Sequence, residues 1–134
     1  MAKENGLGAS WSVDDSAGVL QDLSNDHTSV TFSTPKAVQD TTGLDKSARE
    51  TLLLLADFSF TATGVFNDAA NAAHDVYSTI ASTSVPRTVT WALSGQTLTN
   101  ECNLTDYQLN RAATGEFTFT VPGVLQDGTV PTWT

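Results

Sequence analysis

Read for the spacing of apolar and polar residues, the chain is mostly strand. ASWSVDD and GVLQDLS flank the turn-rich cluster Asp14-Asp15-Ser16-Ala17-Gly18 and predict a hairpin. TSVTFSTPKAV sets Val30 and Phe32 against Ser29, Thr31 and Ser33. Pro35 cannot donate to a ladder, so this strand is expected at an edge or a bulge. After the apolar run LLLLADFSFTATGVF, Phe58, Phe60, Ala62 and Phe66 share one face and Asp57, Ser59, Thr61 and Thr63 the other, with Gly64 expected to mark a bend. The period then changes. In NDAANAAHDVYSTI, Ala69, Ala72 or Ala73, Val76 and Ile80 fall on one helical stripe, with Asn67 or Asp68 as the expected cap. RTVTWALSG and QTLTNECNLT place Val89, Trp91 and Leu93, then Leu98, Asn100, Cys102 and Leu104, on inward positions around a tight turn at Ser94-Gly95-Gln96. GEFTFTVPG alternates Phe117, Phe119 and Val121 against Glu116, Thr118 and Thr120, and the tail holds an Asp-Gly turn and Trp133. The expected architecture is mainly β, an antiparallel β-sandwich or partly closed barrel with one short helix.

With 134 residues, one domain is expected at 10–134, preceded by a flexible polar arm at 1–9. Between two strands, QDTTGLDKSARET at 39–51 is a long charge-mixed loop, where most connections need only a handful of residues. Within it, Ser47-Ala48-Arg49-Glu50 fits a capping box and predicts a helical turn.

Composition narrows the functional classes. Six Lys and Arg against fifteen Asp and Glu give a net charge of -9, which disfavours binding to nucleic acid or anionic lipid. Charged residues are 16% of the chain, below the roughly 25% of ordinary domains, while Thr numbers 21 and Ser 12. That balance suits hydroxyl-covered outer strand faces or surfaces set against another protein. A lone Cys102 excludes an internal disulfide. The opening MAKENGLGAS has no apolar segment, so neither a signal peptide nor a membrane helix is expected, and synthesis in a cytoplasm is.

Candidate chemistry is sparse. Asp14, Asp15, Asp22 and Asp26 with His27 lack the spacing of a calcium loop and read as turn chemistry. His27, His74 and Cys102 do not compose a zinc site. TTGLDKS lacks the spaced glycines of a phosphate loop, and Asn103-Leu104-Thr105 is a sequon without a secretory context. No catalytic residues, cofactor or metal are expected, and the chain is not read as an enzyme. The charged loop reads as a solvated segment or as a polar contact with another protein.

The order of the pieces carries a resemblance. LQDLSNDHTSVTFS, then DTTGLDKSARETLLLLADFSFTATGVFNDAAN, then TVTWALSGQTLTNECNLTDYQLNRAATGEFTFTVPG resembles the major tail protein, or tail tube protein, of long non-contractile-tailed bacteriophages, from about Gly18 to Pro131. The resemblance implies a structural virion protein that forms hexameric rings stacked into a tube. It implies as partners further copies of itself, the tape-measure protein, tail terminator and tail-tip proteins, with DNA passing through and no membrane contact. It also implies that the long loop reaches a neighbouring subunit or ring, which assigns Thr41, Thr42, Gly43, Asp45, Lys46, Arg49 and Glu50 to assembly contacts. The N-terminal arm and the segment around Trp133 are second-choice contacts. Two other readings stand beside it: a β-sandwich binding module using Trp11, Trp91 and Trp133 as platforms, and the inner-tube subunit of a contractile injection machine.

Overall fold

The computed structural model describes residues 3–134. Ten strands and one helix follow in the order β1 (Ser10–Asp14), β2 (Leu20–Asp22), β3 (His27–Ser33), β4 (Lys36–Asp40), β5 (Thr51–Ala56), β6 (Ser59–Val65), α1 (Ala73–Tyr77), β7 (Arg87–Leu93), β8 (Gln96–Leu104), β9 (Gln108–Arg111) and β10 (Phe117–Leu125). Eight strands form one antiparallel sheet in the order β2-β1-β7-β8-β10-β6-β3, with β9 added to β10, and β4-β5 stand apart as a two-stranded ribbon. The sheet curls on itself. The rings of Phe32 in β3 and Trp91 in β7 are 5.3 Å apart, and those of Trp11 in β1 and Phe60 in β6 are 4.9 Å apart, although strands intervene along the ladder. This is the partly closed form of the expected all-β fold, with its one short helix.

Alternation made these strands. Trp11, Val13, Phe60, Ala62, Val89, Leu98, Cys102, Phe119 and Val121 turn inward and are buried in one core. Their outward neighbours are the hydroxyl residues that enrich the composition, as in the cross-strand pair Thr90–Thr99, whose Oγ1 atoms are 3.3 Å apart. At Ser94-Gly95 both residues have positive φ, 52° and 77°, which is the twist a two-residue hairpin requires. Pro122 lies inside β10, where it looks misplaced. It sits where one flank of β10 passes from β9, paired through Thr120, to β8, paired from Gly123, so no ladder donor is needed there.

Two expectations change, one is met, and one strand is new. TSVTFSTPKAV is two strands, because Thr34-Pro35 interrupts it, and Pro35 marks the root of the β4-β5 ribbon. β3 is the edge of the main sheet and carries a bulge between His27 and Ser29, as Pro35 had suggested for this region. Gly64 is not a bend. It pairs within β6, and a Cβ there would strike the Asp26 carbonyl and the Phe119 ring, so close approach fixes the glycine. The strand β9 had no alternation to announce it, since all four residues are exposed.

The helix is shorter than its stripe, five residues, with Ala73, Val76 and Tyr77 buried and Ala69 exposed. Neither Asn67 nor Asp68 caps it with a side chain. Asp26, 47 residues away, accepts from Ala73 N at 2.9 Å and from Asn67 Nδ2 at 2.7 Å. At the other end the buried Arg87 donates from Nη1 to Val76 O (2.9 Å) and Asp14 O (3.1 Å), and from Nη2 to Thr79 Oγ1 (2.8 Å). Between them, Trp11 Nε1 donates to Tyr77 Oη at 3.4 Å. That hydroxyl donates to His27 Nε2 at 3.0 Å, and His27 Nδ1–H donates to Leu23 O at 2.8 Å. Burial holds the His27 imidazole below its ordinary pKa, against the opposing effects of Leu23 O and the Asp26 carboxylate.

Replacing Arg87 with Met removes the side-chain donor of Asp14 O and leaves Val76 O with only the 3.2 Å bond from Thr79 Oγ1. Urea denaturation of R87M is expected to show a loss of about 2 kcal/mol, from a penalty of about 1–3 kcal/mol for an orphaned group. A separate expectation concerns pH. The unfolded imidazole titrates near 6.5 and the folded one lower. The unfolded state therefore binds more protons in that interval, and stability is complete above 6.5 and falls as pH drops below it. Melting midpoints across pH 7.5 to 5 should decline in the wild type and decline less in His27→Gln.

Candidate assembly surface

The β4-β5 ribbon leaves the body at a narrow root, where Asp57 N donates to Pro35 O at 2.9 Å. Its register pairs Val38 with Leu53, Gln39 with Leu52 and Asp40 with Thr51, after a bulge near the root. Opposed residues share a face and successive ones alternate. Val38 and Leu53 therefore lie on one side of the ribbon and Leu52 on the other. All four leucines are uncovered, Leu53 at 62% and Leu55 at 84%, and Leu44 at the tip is fully exposed. An isolated two-stranded ribbon is marginal in water, and contiguous exposed apolar surface is the usual character of interaction sites, which makes the ribbon the candidate surface.

Residues 41–50 form the tip, so the expected loop at 39–51 loses its first two residues and its last to the strands. The neck is closed by Thr42. Its N and Oγ1 donate to Asp40 Oδ1 at 2.9 and 2.6 Å, and its Oγ1 accepts from Glu50 N at 2.8 Å. Thr41 N adds a bond to Glu50 O at 3.0 Å. These contacts explain why the capping box does not form: both backbone groups of Glu50 are engaged across the neck, so no helical turn starts at Ser47. The Glu50 carboxylate pairs instead with Lys46 at 3.5 Å, and Arg49 pairs with Asp40 at 3.6 Å. The two bonds from Thr42 hold the Asp40 carboxyl below the usual carboxylate range.

The tip thus brings together Thr41, Thr42, Gly43, Asp45, Lys46, Arg49 and Glu50. Trp133 is not among them. It stays on the body, bridging Leu98 with its ring 6.1 Å from that of Phe32, and Thr134 exchanges two backbone bonds with Thr97. The sequence reading missed Val38, Leu44 and Leu52 to Leu55. The available signal was the run of four leucines itself: a half-buried strand alternates, and this one does not.

Charge separates ribbon from body. From Lys36 to Ala56 the three cations Lys36, Lys46 and Arg49 match the three acids Asp40, Asp45 and Glu50, so the whole of the -9 lies on the rest of the chain. Elsewhere the chemistry is quiet. Among the described residues no group of three or more His, Cys, Asp or Glu is arranged to hold a metal ion, and no helix is long and apolar enough to cross a membrane. Burial pushes the Cys102 thiol up to about 12, far from a reactive thiolate. Trp91 and Trp133 line an open cavity of about 340 Å³ with Leu93, Gln96 and Glu4, whereas Trp11 is buried and offers no platform.

No protein-family model matches the chain, and no curated relative does. Solved structures do. A chain from the tail of an empty gene transfer agent (GTA) particle, a helical reconstruction with C6 symmetry, superposes with a TM-score of 0.78 at 18% identity, over 98% of this chain and 99% of that one. A chain from the virion of a native GTA particle gives 0.77 at 14% identity, with the same coverage of both. The fold is therefore that of chains found in GTA particles, in agreement with the mainly β fold class expected.

The Thr42 neck makes a local prediction. In Thr42→Val the hydroxyl donor to Asp40 is lost and only the backbone N–H remains. The Asp40 carboxyl should then titrate at higher pH in the variant, read by carbon-detected NMR, while an unchanged midpoint would show that the neck does not hold it.

Proposed function

We propose that this protein is a structural subunit of a phage-like tail, which associates with further copies of itself into hexameric rings stacked as a hollow tube for DNA. The observation that carries this reading is the β4-β5 ribbon, an apolar and electrically neutral projection on an acidic body, within a fold shared end to end with a chain of a C6-symmetric tail. A projection that meets a different patch on the next copy is a head-to-tail contact, and such contacts generate rings or filaments. The residues at 41–50 and the leucines behind them are the contact; Trp133 and the N-terminal arm are secondary ones. Tape-measure, terminator and tip proteins are the expected partners in the assembled tail, and the virion is its location. The acidic body suits passage of DNA, because it offers few cations to hold phosphates. The function is structural, with no step of catalysis.

Electron micrographs of the purified protein across a concentration and salt series are expected to show stacked rings or hollow tubes. A wild-type protein that stays monomeric throughout overturns the proposal. Charge reversal of Lys46 and Arg49 to Glu should leave the melting midpoint within about 2 °C of wild type, as exposed pairs contribute little, and should raise the concentration needed for assembly.

A further inference from the structure

We infer that Asn5-Gly6, on the arm ahead of β1, is a site of spontaneous deamidation, in which the Gly6 backbone nitrogen closes a succinimide on the Asn5 side chain and water reopens it to isoaspartate and aspartate. The inference is independent of the assembly reading. Of the chain's seven asparagines only Asn5 precedes a glycine. Both residues are exposed, and a Cβ built on Gly6 meets nothing within 4 Å, so the peptide nitrogen is open to approach and the backbone is free to turn toward it. Among the described residues nothing accepts from Gly6 N. The carboxamide is already held in place. Leu7 N donates to Asn5 Oδ1 at 2.9 Å, an Asx turn that folds the side chain back over the Gly6 peptide. That donor faces the oxygen on which negative charge develops when the nitrogen adds to Cγ, as an oxyanion donor does.

The reaction balances with water alone. Gly6 N gives up its proton and bonds to Asn5 Cγ, while the Cγ–Nδ2 bond breaks and Nδ2 leaves with that proton as ammonia. Water then adds to one of the two ring carbonyls. Opening at Cγ gives aspartate, and opening at the Asn5 backbone carbonyl gives isoaspartate, with the chain continuing through Cγ. Either product carries a carboxylate in place of a neutral amide, which takes the formal charge from -9 to -10. The new charge lies between Glu4, which lines the cavity with Trp91 and Trp133, and Gly6, which lines a second cavity of about 210 Å³ with Trp11 and His27. Asp127-Gly128 is an internal comparison, since Thr129 N donates to Asp127 Oδ1 at 3.0 Å in the same kind of turn. There the bond from Thr129 holds the side chain as an ionised carboxylate, below the usual range. An anion is a poor target for a nitrogen nucleophile, so the neutral amide singles out Asn5.

Peptide mapping by mass spectrometry, on purified protein kept at neutral and at mildly alkaline pH, tests the assignment. Asn5 is expected to convert at least about tenfold faster than any of the other six asparagines. Conversion should be faster at the higher pH, because the deprotonated nitrogen attacks, and enzymatic methylation should identify isoaspartate. Gly6→Ala, at an open position, should slow conversion at least about tenfold and leave the melting midpoint unchanged. If Asn5 stays intact in the protein while a synthetic peptide of residues 1–10 converts, the inference is overturned. Conversion of Gly6→Ala at the wild-type rate overturns it as well, by taking the Gly6 nitrogen out of the reaction.

Discussion

Two charged side chains at the ends of one helical turn hold the body of this protein together. A five-residue helix has no stability of its own, since nucleation costs more than so few bonds return. Asp26 accepts from its first free N–H and Arg87 donates to a carbonyl at its last turn, which places the negative group at the positive end of the helix dipole and the positive group at the negative end. Asp26 belongs to the turn before β3 and Arg87 to the start of β7. The helix is therefore fixed from strands on both sides of the curled sheet, and its buried Val76 and Tyr77 reach the core at a defined depth. The hydrogen-bonded chain from Trp11 through Tyr77 and His27 to Leu23 depends on that depth.

The ribbon is built on the opposite plan. Inside the body the polar groups are partnered and the apolar ones covered, with Asn100 Nδ2 the one buried side-chain atom left unpaired among the described residues. On β4-β5 the polar groups are also partnered, through Thr42, Asp40 and Glu50, but the apolar ones are not covered at all. Hydrogen bonds thus set the shape of the ribbon before any partner arrives. A preshaped projection loses less conformational entropy on docking than a floppy loop would.

The parts of this architecture that were legible in the sequence are those governed by local rules. Alternation in Val30 to Phe32, Phe58 to Ala62 and Phe117 to Val121, and the Ser94-Gly95 turn, are statements about a few adjacent residues, and they describe the observed strands. The illegible parts depend on distant residues. The helix cap was sought at Asn67 or Asp68 because caps are usually local, yet it comes from Asp26. The capping box at Ser47 to Glu50 was locally sound and lost to cross-neck bonds from Thr41 and Thr42. The loop at 39–51 stands out by its mixed charge, whereas the apolar run beside it departs from alternation without saying that Leu52 to Leu55 stay uncovered. A run without alternation reads equally as a strand covered on both faces and as one left exposed on both, so it does not say what covers it.

That ambiguity has a consequence for assembly. Four exposed leucines would ordinarily drive indiscriminate aggregation from a strand edge. Here they sit on a short, twisted, bulged ribbon whose tip carries ion pairs, and every other surface of the chain belongs to a strongly acidic body. Body-to-body encounters are repelled over about a Debye length, 8–10 Å at ordinary ionic strength, while a ribbon of five or six residues at about 3.3 Å per residue projects roughly twice that far. The neutral projection can therefore reach a neighbour before the acidic surfaces are forced together. In the proposed assembly, the same charge that keeps the free chains apart would leave the ribbon as the point of approach, so specificity would come as much from repulsion elsewhere as from attraction at the leucines.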